Sequence, residues 1–126
     1  MRAEKSPENA SILLVDDNPI SLSALFEYLN DSGYEVLIAR NGESAIRQTG
    51  YFRPDIILLD IMMPGIDGFE TCRRLKADKS TQKIPVIFMT ALTETVNKLR
   101  GFEVGAVDYI TKPFHQEEVL ARIRII

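Results

Sequence analysis

The chain has 126 residues, 45% of them hydrophobic, and a formal net charge of -3. That length holds one domain with a real core and not two, and the mildly acidic balance speaks against a nucleic-acid-binding surface. No apolar run approaches transmembrane length, the opening MRAEKSPENA has no apolar segment of the signal-peptide kind, and the one cysteine, Cys72, cannot form an internal disulfide. A cytoplasmic chain without membrane contact is expected.

Residues 1–10 are polar, carry Pro7 and read as a flexible arm. Ser11 to Val15 is the first strand, ending in Asp16-Asp17. Asn18 is placed to cap the next helix, with Pro19 at its first position and Leu22, Leu25, Phe26 and Leu29 at core spacing. Gly33 stops that helix. Tyr34 to Ala39 reads as the second strand, and Asn41 as the cap of a short helix with Ala45 and Ile46 inward, running to about Gly50.

The third strand is the centre of the pattern. Ile56-Ile57-Leu58-Leu59 is apolar on both faces, which belongs in the middle of a parallel sheet, and it ends in Asp60. A turn follows at Pro64-Gly65. Asp67 and Glu70 then have capping-box spacing for a helix through Cys72 and Leu75 to about Ala77. Lys76 to Lys83 reads as polar loop. Pro85 to Met89 is the fourth strand, ending in Thr90. Thr93 is expected to cap a fourth helix whose inward positions are Val96, Leu99 and Phe102, weakened by Gly101 and ended by Gly105. Val107 to Ile110 is the fifth strand, followed by Thr111-Lys112-Pro113-Phe114 and a last helix with Val119, Leu120 and Ile123. His115 lies at the start of that helix and reads as surface or cap. The helix reaches Ile126 in mid-pattern, so a fused downstream domain is expected.

Five strands alternating with five helices predict an α/β fold, a three-layer αβα sandwich around a doubly wound parallel sheet. A compact five-stranded version has the flavodoxin-like order 2-1-3-4-5, and in such sheets ligands bind beyond the C-terminal strand ends. That rule gathers Asp16, Asp17, Asp60, Thr90 and Lys112 at one crevice. Three carboxylates against one lysine leave excess negative charge, which invites Mg2+. Asp17 and Asp60 would be direct ligands, Asp16 would hold a bound water or an outer position, and the backbone carbonyl of Met62 would complete the protein share. A carboxylate can act as a nucleophile toward phosphorus, with Lys112 and the Thr90 hydroxyl opposing the charge on the phosphoryl oxygens. No histidine stands beside these groups as a donor, so the phosphoryl donor is expected to be external. Singly, each residue has a plainer reading: turn or helix cap for the aspartates and Thr90, solvated charge for Lys112.

Together, ILLVDDNP, LLDIMMPGIDGFE, PVIFMTA and GAVDYITKPF resemble the receiver (REC) domain of two-component response regulators, the CheY-like superfamily, from about Ile12 to Ile123. The resemblance implies that 11–126 form one receiver domain and that Asp60 is the phosphoacceptor. It implies that Asp16 and Asp17 are the acidic pair, Asp17 contacting Mg2+ directly, with Met62 lending its carbonyl. Thr90 would turn toward the phosphoryl group, Lys112 would pair with its oxygens, and Tyr109 would move inward as the switch. The phosphoryl group would come from a histidine kinase phosphohistidine or a phosphotransfer protein and later be hydrolysed. The face of the fourth helix, fifth strand and fifth helix would then change shape and serve a partner or a phosphorylation-dependent homodimer. Apolar Met62 and Leu92 flank the path of the hydrolytic water in this family, which implies slow self-dephosphorylation.

Three rivals fit the residues less well. A flavodoxin-type flavin site would meet Asp16-Asp17 where a phosphate must sit. An aspartyl-nucleophile phosphatase needs an acid where Met62 stands. A docking module without phosphorylation has no need of the acidic and lysine set.

Overall fold

The structure is a computed structural model; it describes residues 10–90, 95–112 and 115–125, without the side chains of Thr90 and of residues 95–98. The N-terminal arm up to residue 9, Leu92, the Thr93 cap, the inward role of Val96 and the Pro113-Phe114 pair lie outside the described residues.

Elements alternate along the chain: β1 (Ser11–Val15), α1 (Pro19–Asp31), β2 (Glu35–Ala39), α2 (Gly42–Gln48), β3 (Ile56–Asp60), α3 (Gly68–Ala77), β4 (Val86–Thr90), α4 (Thr95–Glu103), β5 (Asp108–Thr111) and α5 (Gln116–Ile125). The five strands form one sheet in the order β2-β1-β3-β4-β5, as the alternating pattern predicts, and every pairing is parallel. Register pairs Val15 with Leu59 and Asp60 with Met89, which sets the C-terminal ends of β1, β3 and β4 side by side.

The period of two along the strands builds two cores. Leu13, Val15, Ile57, Leu59, Val86 and Phe88 pack on one face with Ala45 of α2 and with Phe69, Cys72 and Leu75 of α3. Ile12, Leu14, Ile56, Leu58, Ile87 and Met89 pack on the other with Leu22, Leu25 and Leu29 of α1 and with Val119 and Ile123 of α5. Ile57, Leu58 and Leu59 are fully buried; each such side chain contributes about 2 kcal/mol by leaving water. Three consecutive buried residues are possible only because the sheet is covered on both sides.

The caps follow the sequence. The Asn18 side chain accepts from the N–H groups of Ile20 and Ser21, with Pro19 opening α1, and Asn41 accepts from Ser44 N–H at 2.7 Å. At α3, Asp67 accepts from Glu70 N–H at 2.9 Å. Glu70 turns outward to Arg73 and Arg74 at 2.6 and 2.7 Å.

The helix period misplaces part of α4. Leu99 and Phe102 are 58% and 49% exposed rather than inward. The helix reaches the sheet through Gly101, where an added Cβ would stand 2.9 Å from the Phe88 ring. A stripe of apolar residues predicts the buried face only when side chains make the contact, and here a missing side chain makes it. β5 begins at Asp108, leaving Val107 exposed.

Candidate functional site at the strand ends

Asp16 and Asp17 follow β1, and Asp60 is the last residue of β3. Parallel pairing of β1 with β3 puts them together: one carboxylate oxygen from each of Asp16, Asp17 and Asp60 lies within 4.8 Å of the others. Asp16 and Asp60 are buried, 2% and 6% exposed, while Asp17 is half-buried. Local bonds fix the two buried groups. Asn18 N–H donates to Asp16 Oδ1 at 3.0 Å, and Met62 N–H donates to Asp60 Oδ1 at 3.3 Å. Gly68 N–H donates to the Ile61 carbonyl at 2.9 Å and closes the loop after β3 on itself.

Lys112, just after β5, reaches across β4 to this cluster. Its Nζ donates to Asp16 Oδ2 at 3.1 Å and stands 3.7 Å from Asp60 Oδ2. Arg40 approaches as well, donating to the backbone carbonyl of Asp17 at 3.4 Å. Burial pushes the Asp60 carboxyl from 3.8 up to about 6; Lys112 pulls it down, and neighbouring Asp16 pushes it up again. The ionised form of Asp60 is thus under-compensated by the protein alone. A buried all-oxygen donor set with more negative than positive charge fits a hard divalent cation.

Of the sequence-predicted residues, the structure brings Asp16, Asp17, Asp60 and Lys112 into one crevice. The Thr90 backbone ends β4, paired with Thr111 of β5, and the Thr90 side chain is outside the described residues. The Met62 side chain is exposed. Tyr109 lies on the edge strand, as expected, but its side chain is 8% exposed and its ring meets Phe88 edge-on at 6.3 Å between centroids. His115 is exposed. The sequence reading passed over two supports. Gly68 packs so tightly on β3 that a Cβ there would lie 2.5 Å from the Asp60 carbonyl oxygen. Glu43, in the first turn of α2, touches the loop after Asp60 at Gly65 and Ile66. The signal for Gly68 was the Asp67-Gly68 pair, which reads as a cap alone; no signal marks Glu43.

The family described as "Response regulator receiver domain" matches residues 12–124. The chain is 46% identical over 92% of its length to the phosphate regulon transcriptional regulatory protein PhoB of Pseudomonas aeruginosa, of which the match covers 51%. It is 43% identical over 91% of its length to the DNA-binding dual master transcriptional regulator RpaA of Synechocystis, of which 48% is covered. Response regulator PleD of Caulobacter vibrioides is 44% identical over 92% of the chain, which spans 26% of PleD. The chain therefore spans about half of the first two and about a quarter of the third. Among solved structures, the BeF3-activated DrrB receiver domain has a TM-score of 0.83 at 34% identity, covering 93% of this chain and 96% of that one. The receiver domain of the sensor histidine kinase PA1611 of Pseudomonas aeruginosa, with a magnesium ion coordinated in its active-site cleft, has a TM-score of 0.86 at 30% identity, covering 93% of this chain and 96% of that one. Among the described residues, no helix is long and apolar enough to cross a membrane.

Proposed function

The chain belongs to the receiver domains of two-component response regulators, and from that membership we propose that Asp60 accepts a phosphoryl group with Mg2+ and so switches the face of α4, β5 and α5. The observation that carries this reading is the meeting of three carboxylates with the single ammonium of Lys112 at the ends of β1, β3 and β5.

Asp17, Asp60 and the Met62 carbonyl would hold the ion directly, and Asp16 would hold it through water; the magnesium in the PA1611 cleft supports a metal at this site. Bound Mg2+ supplies the positive charge that the three carboxylates and the phosphoryl oxygens require. An ionised Asp60 oxygen attacks phosphorus, an O–P bond forms, and the donor's P–N bond breaks with its electron pair returning to the departing imidazole. With the acid raised to about 6, Asp60 is mostly ionised at neutral pH and available to attack. Lys112 passes from Asp16 to a phosphoryl oxygen, and the Thr90 hydroxyl donates to another. The donor is a histidine kinase or phosphotransfer protein.

The phosphoryl group adds close to two negative charges beside the end of β4. Thr90 and Tyr109 carry that change to the α4-β5-α5 face, where a homodimer forms, and hydrolysis resets the switch slowly. A protein of this kind works in the cytoplasm. A fused output domain, supported by the greater length of PhoB, RpaA and PleD, receives the signal, and this domain itself does not contact nucleic acid.

Beryllofluoride with Mg2+ mimics the aspartyl phosphate. The reading predicts saturable, Mg2+-dependent binding followed by tyrosine fluorescence, which the four tyrosines and the absence of tryptophan make clean. No binding at millimolar concentrations would overturn it.

A further inference from the structure

The loop from Ile61 to Asp67 carries Met62 between β3 and α3; besides the Met62 N–H bond to Asp60 Oδ1 at 3.3 Å, two further ties hold it. At its base, Gly68 N–H donates to the Ile61 carbonyl at 2.9 Å. Toward its far end, Ile66 N–H donates to Glu43 Oε2 at 3.4 Å, a contact between residues of different elements. The Glu43 carboxylate also occupies the space beside Gly65 where a side chain would be: a Cβ there would lie 2.9 and 3.0 Å from its two oxygens. Gly65 has φ +80°, a backbone open to glycine and strained for a residue with a side chain. The preceding residue, Gly42, brings α2 close enough for this contact: a Cβ on Gly42 would lie 2.1 Å from Thr71 Oγ1 and 2.7 Å from Ile66 Cγ1. The α2 end is thus seated against both the loop and α3.

Glu43 makes no contact with Asp60 or Lys112 among those described. Its carboxylate is an acceptor with the geometry to hold a turn, and the turn it holds lies in the same short loop as the Met62 carbonyl. We propose that Glu43 is a positioning residue: it braces the Gly65-Ile66 turn and thereby fixes the Met62 carbonyl at the metal. The proposal rests on the reading of Asp60 and Met62 given above. An oxygen acceptor is what the brace requires, and the negative charge is not, so glutamine should serve in place of glutamate.

The test compares the wild-type chain with Glu43→Gln and Glu43→Ala. Three quantities are read: the Mg2+ dissociation constant, the phosphorylation rate by acetyl phosphate at saturating Mg2+, and the hydrogen exchange of the Ile66 amide. Glu43→Ala should weaken Mg2+ measurably, by up to about fivefold, the ceiling set by one ordinary hydrogen bond. It should also speed Ile66 exchange while leaving the rate at saturating Mg2+ within about twofold, because the nucleophile is untouched. Glu43→Gln should restore both the affinity and the Ile66 protection. Wild-type Mg2+ affinity in Glu43→Ala, or a Glu43→Gln variant as weak as alanine, would overturn the role of Glu43 and leave the site as read. A wild type that takes neither Mg2+ nor a phosphoryl group would overturn the reading of the site and the role of Glu43 with it.

Discussion

Lys112 is bonded to Asp16, at 3.1 Å, and stands off from Asp60 at 3.7 Å. The lysine therefore sits between the two buried carboxylates and closer to the one that is not the proposed nucleophile. In that position it would compete with a divalent cation for the same negative charge. Replacing Lys112 with alanine should tighten Mg2+ binding, by roughly threefold or more, since a positive charge leaves a negative site. The same change should slow phosphorylation by about tenfold or more, since one of the groups opposing the phosphoryl charge is lost. Calorimetric titration and single-turnover kinetics separate the two effects. Weaker Mg2+ binding in the variant would contradict this account.

Burial of Asp60 should make its ionised form a cost to the metal-free fold at neutral pH. Its acid is raised from 3.8 to about 6, so the folded chain keeps a proton that the unfolded chain has released between those values. Stability from this group is fullest below about pH 3.8 and is lost as pH rises through about 6. By pH 7 the penalty is at most about 2 kcal/mol, the shift being discounted for solvent screening at this partly open site. Asp60→Asn removes the charge and should raise Tm by roughly 5–10 °C at pH 7 in chelator, with little change at pH 4. An equal rise at both pH values would contradict the assigned cause.

Gly68 packs against the backbone of Asp60, the proposed nucleophile. A Cβ there would meet the Asp60 carbonyl oxygen at 2.5 Å and the Ile61 Cα at 2.7 Å, both backbone atoms with little freedom to retreat. Gly68→Ala should cost about 2 kcal/mol or more and weaken Mg2+ binding with it. At Gly50 the nearest atom to an added Cβ is the Arg47 carbonyl oxygen at 3.1 Å, and Gly50→Ala should leave the affinity unchanged. Urea unfolding and Mg2+ titration of the pair test this; equal behaviour of the two variants would refute it.

The exposed side chains of Leu99 and Phe102 on α4 and Val107 before β5 belong to the face assigned to the active form. Arg122 of α5 pairs with Asp108 of β5 at 2.8 Å. Sedimentation of the chain with and without beryllofluoride should show a monomer passing to a dimer, and Leu99→Asp should prevent it. An unchanged mass at high concentration would remove the dimer from the account and leave the phosphoacceptor chemistry standing.

The strands and the crevice were legible because their signals are local. Ile56 to Leu59 is an unbroken apolar run that ends in a carboxylate, and the strand order then brings Asp16, Asp17 and Lys112 to it. Asn18, Asn41 and Asp67 cap helices as their positions predict. What the sequence hid was contact made by absence or across long separations. Leu99 and Phe102 have core spacing, yet α4 meets the sheet through Gly101, which carries no hydropathy. Tyr109 could be placed on the edge strand, but not its edge-on contact with the Phe88 ring. Arg100 stacks over the Phe69 ring at 4.4 Å, and Glu43 reaches Ile66; neither pair is close in sequence.

The most direct test of the central claim is the intact mass of the chain after incubation with acetyl phosphate and Mg2+, with Asp60→Asn alongside. The account predicts a gain of one phosphoryl group on the wild type, absent without Mg2+ and absent in the variant. It predicts that the adduct then decays over minutes or longer, because apolar Met62 and Leu92 cannot orient a water. A wild type that gains no phosphoryl group, or an Asp60→Asn variant that gains it equally, would contradict the assignment of Asp60.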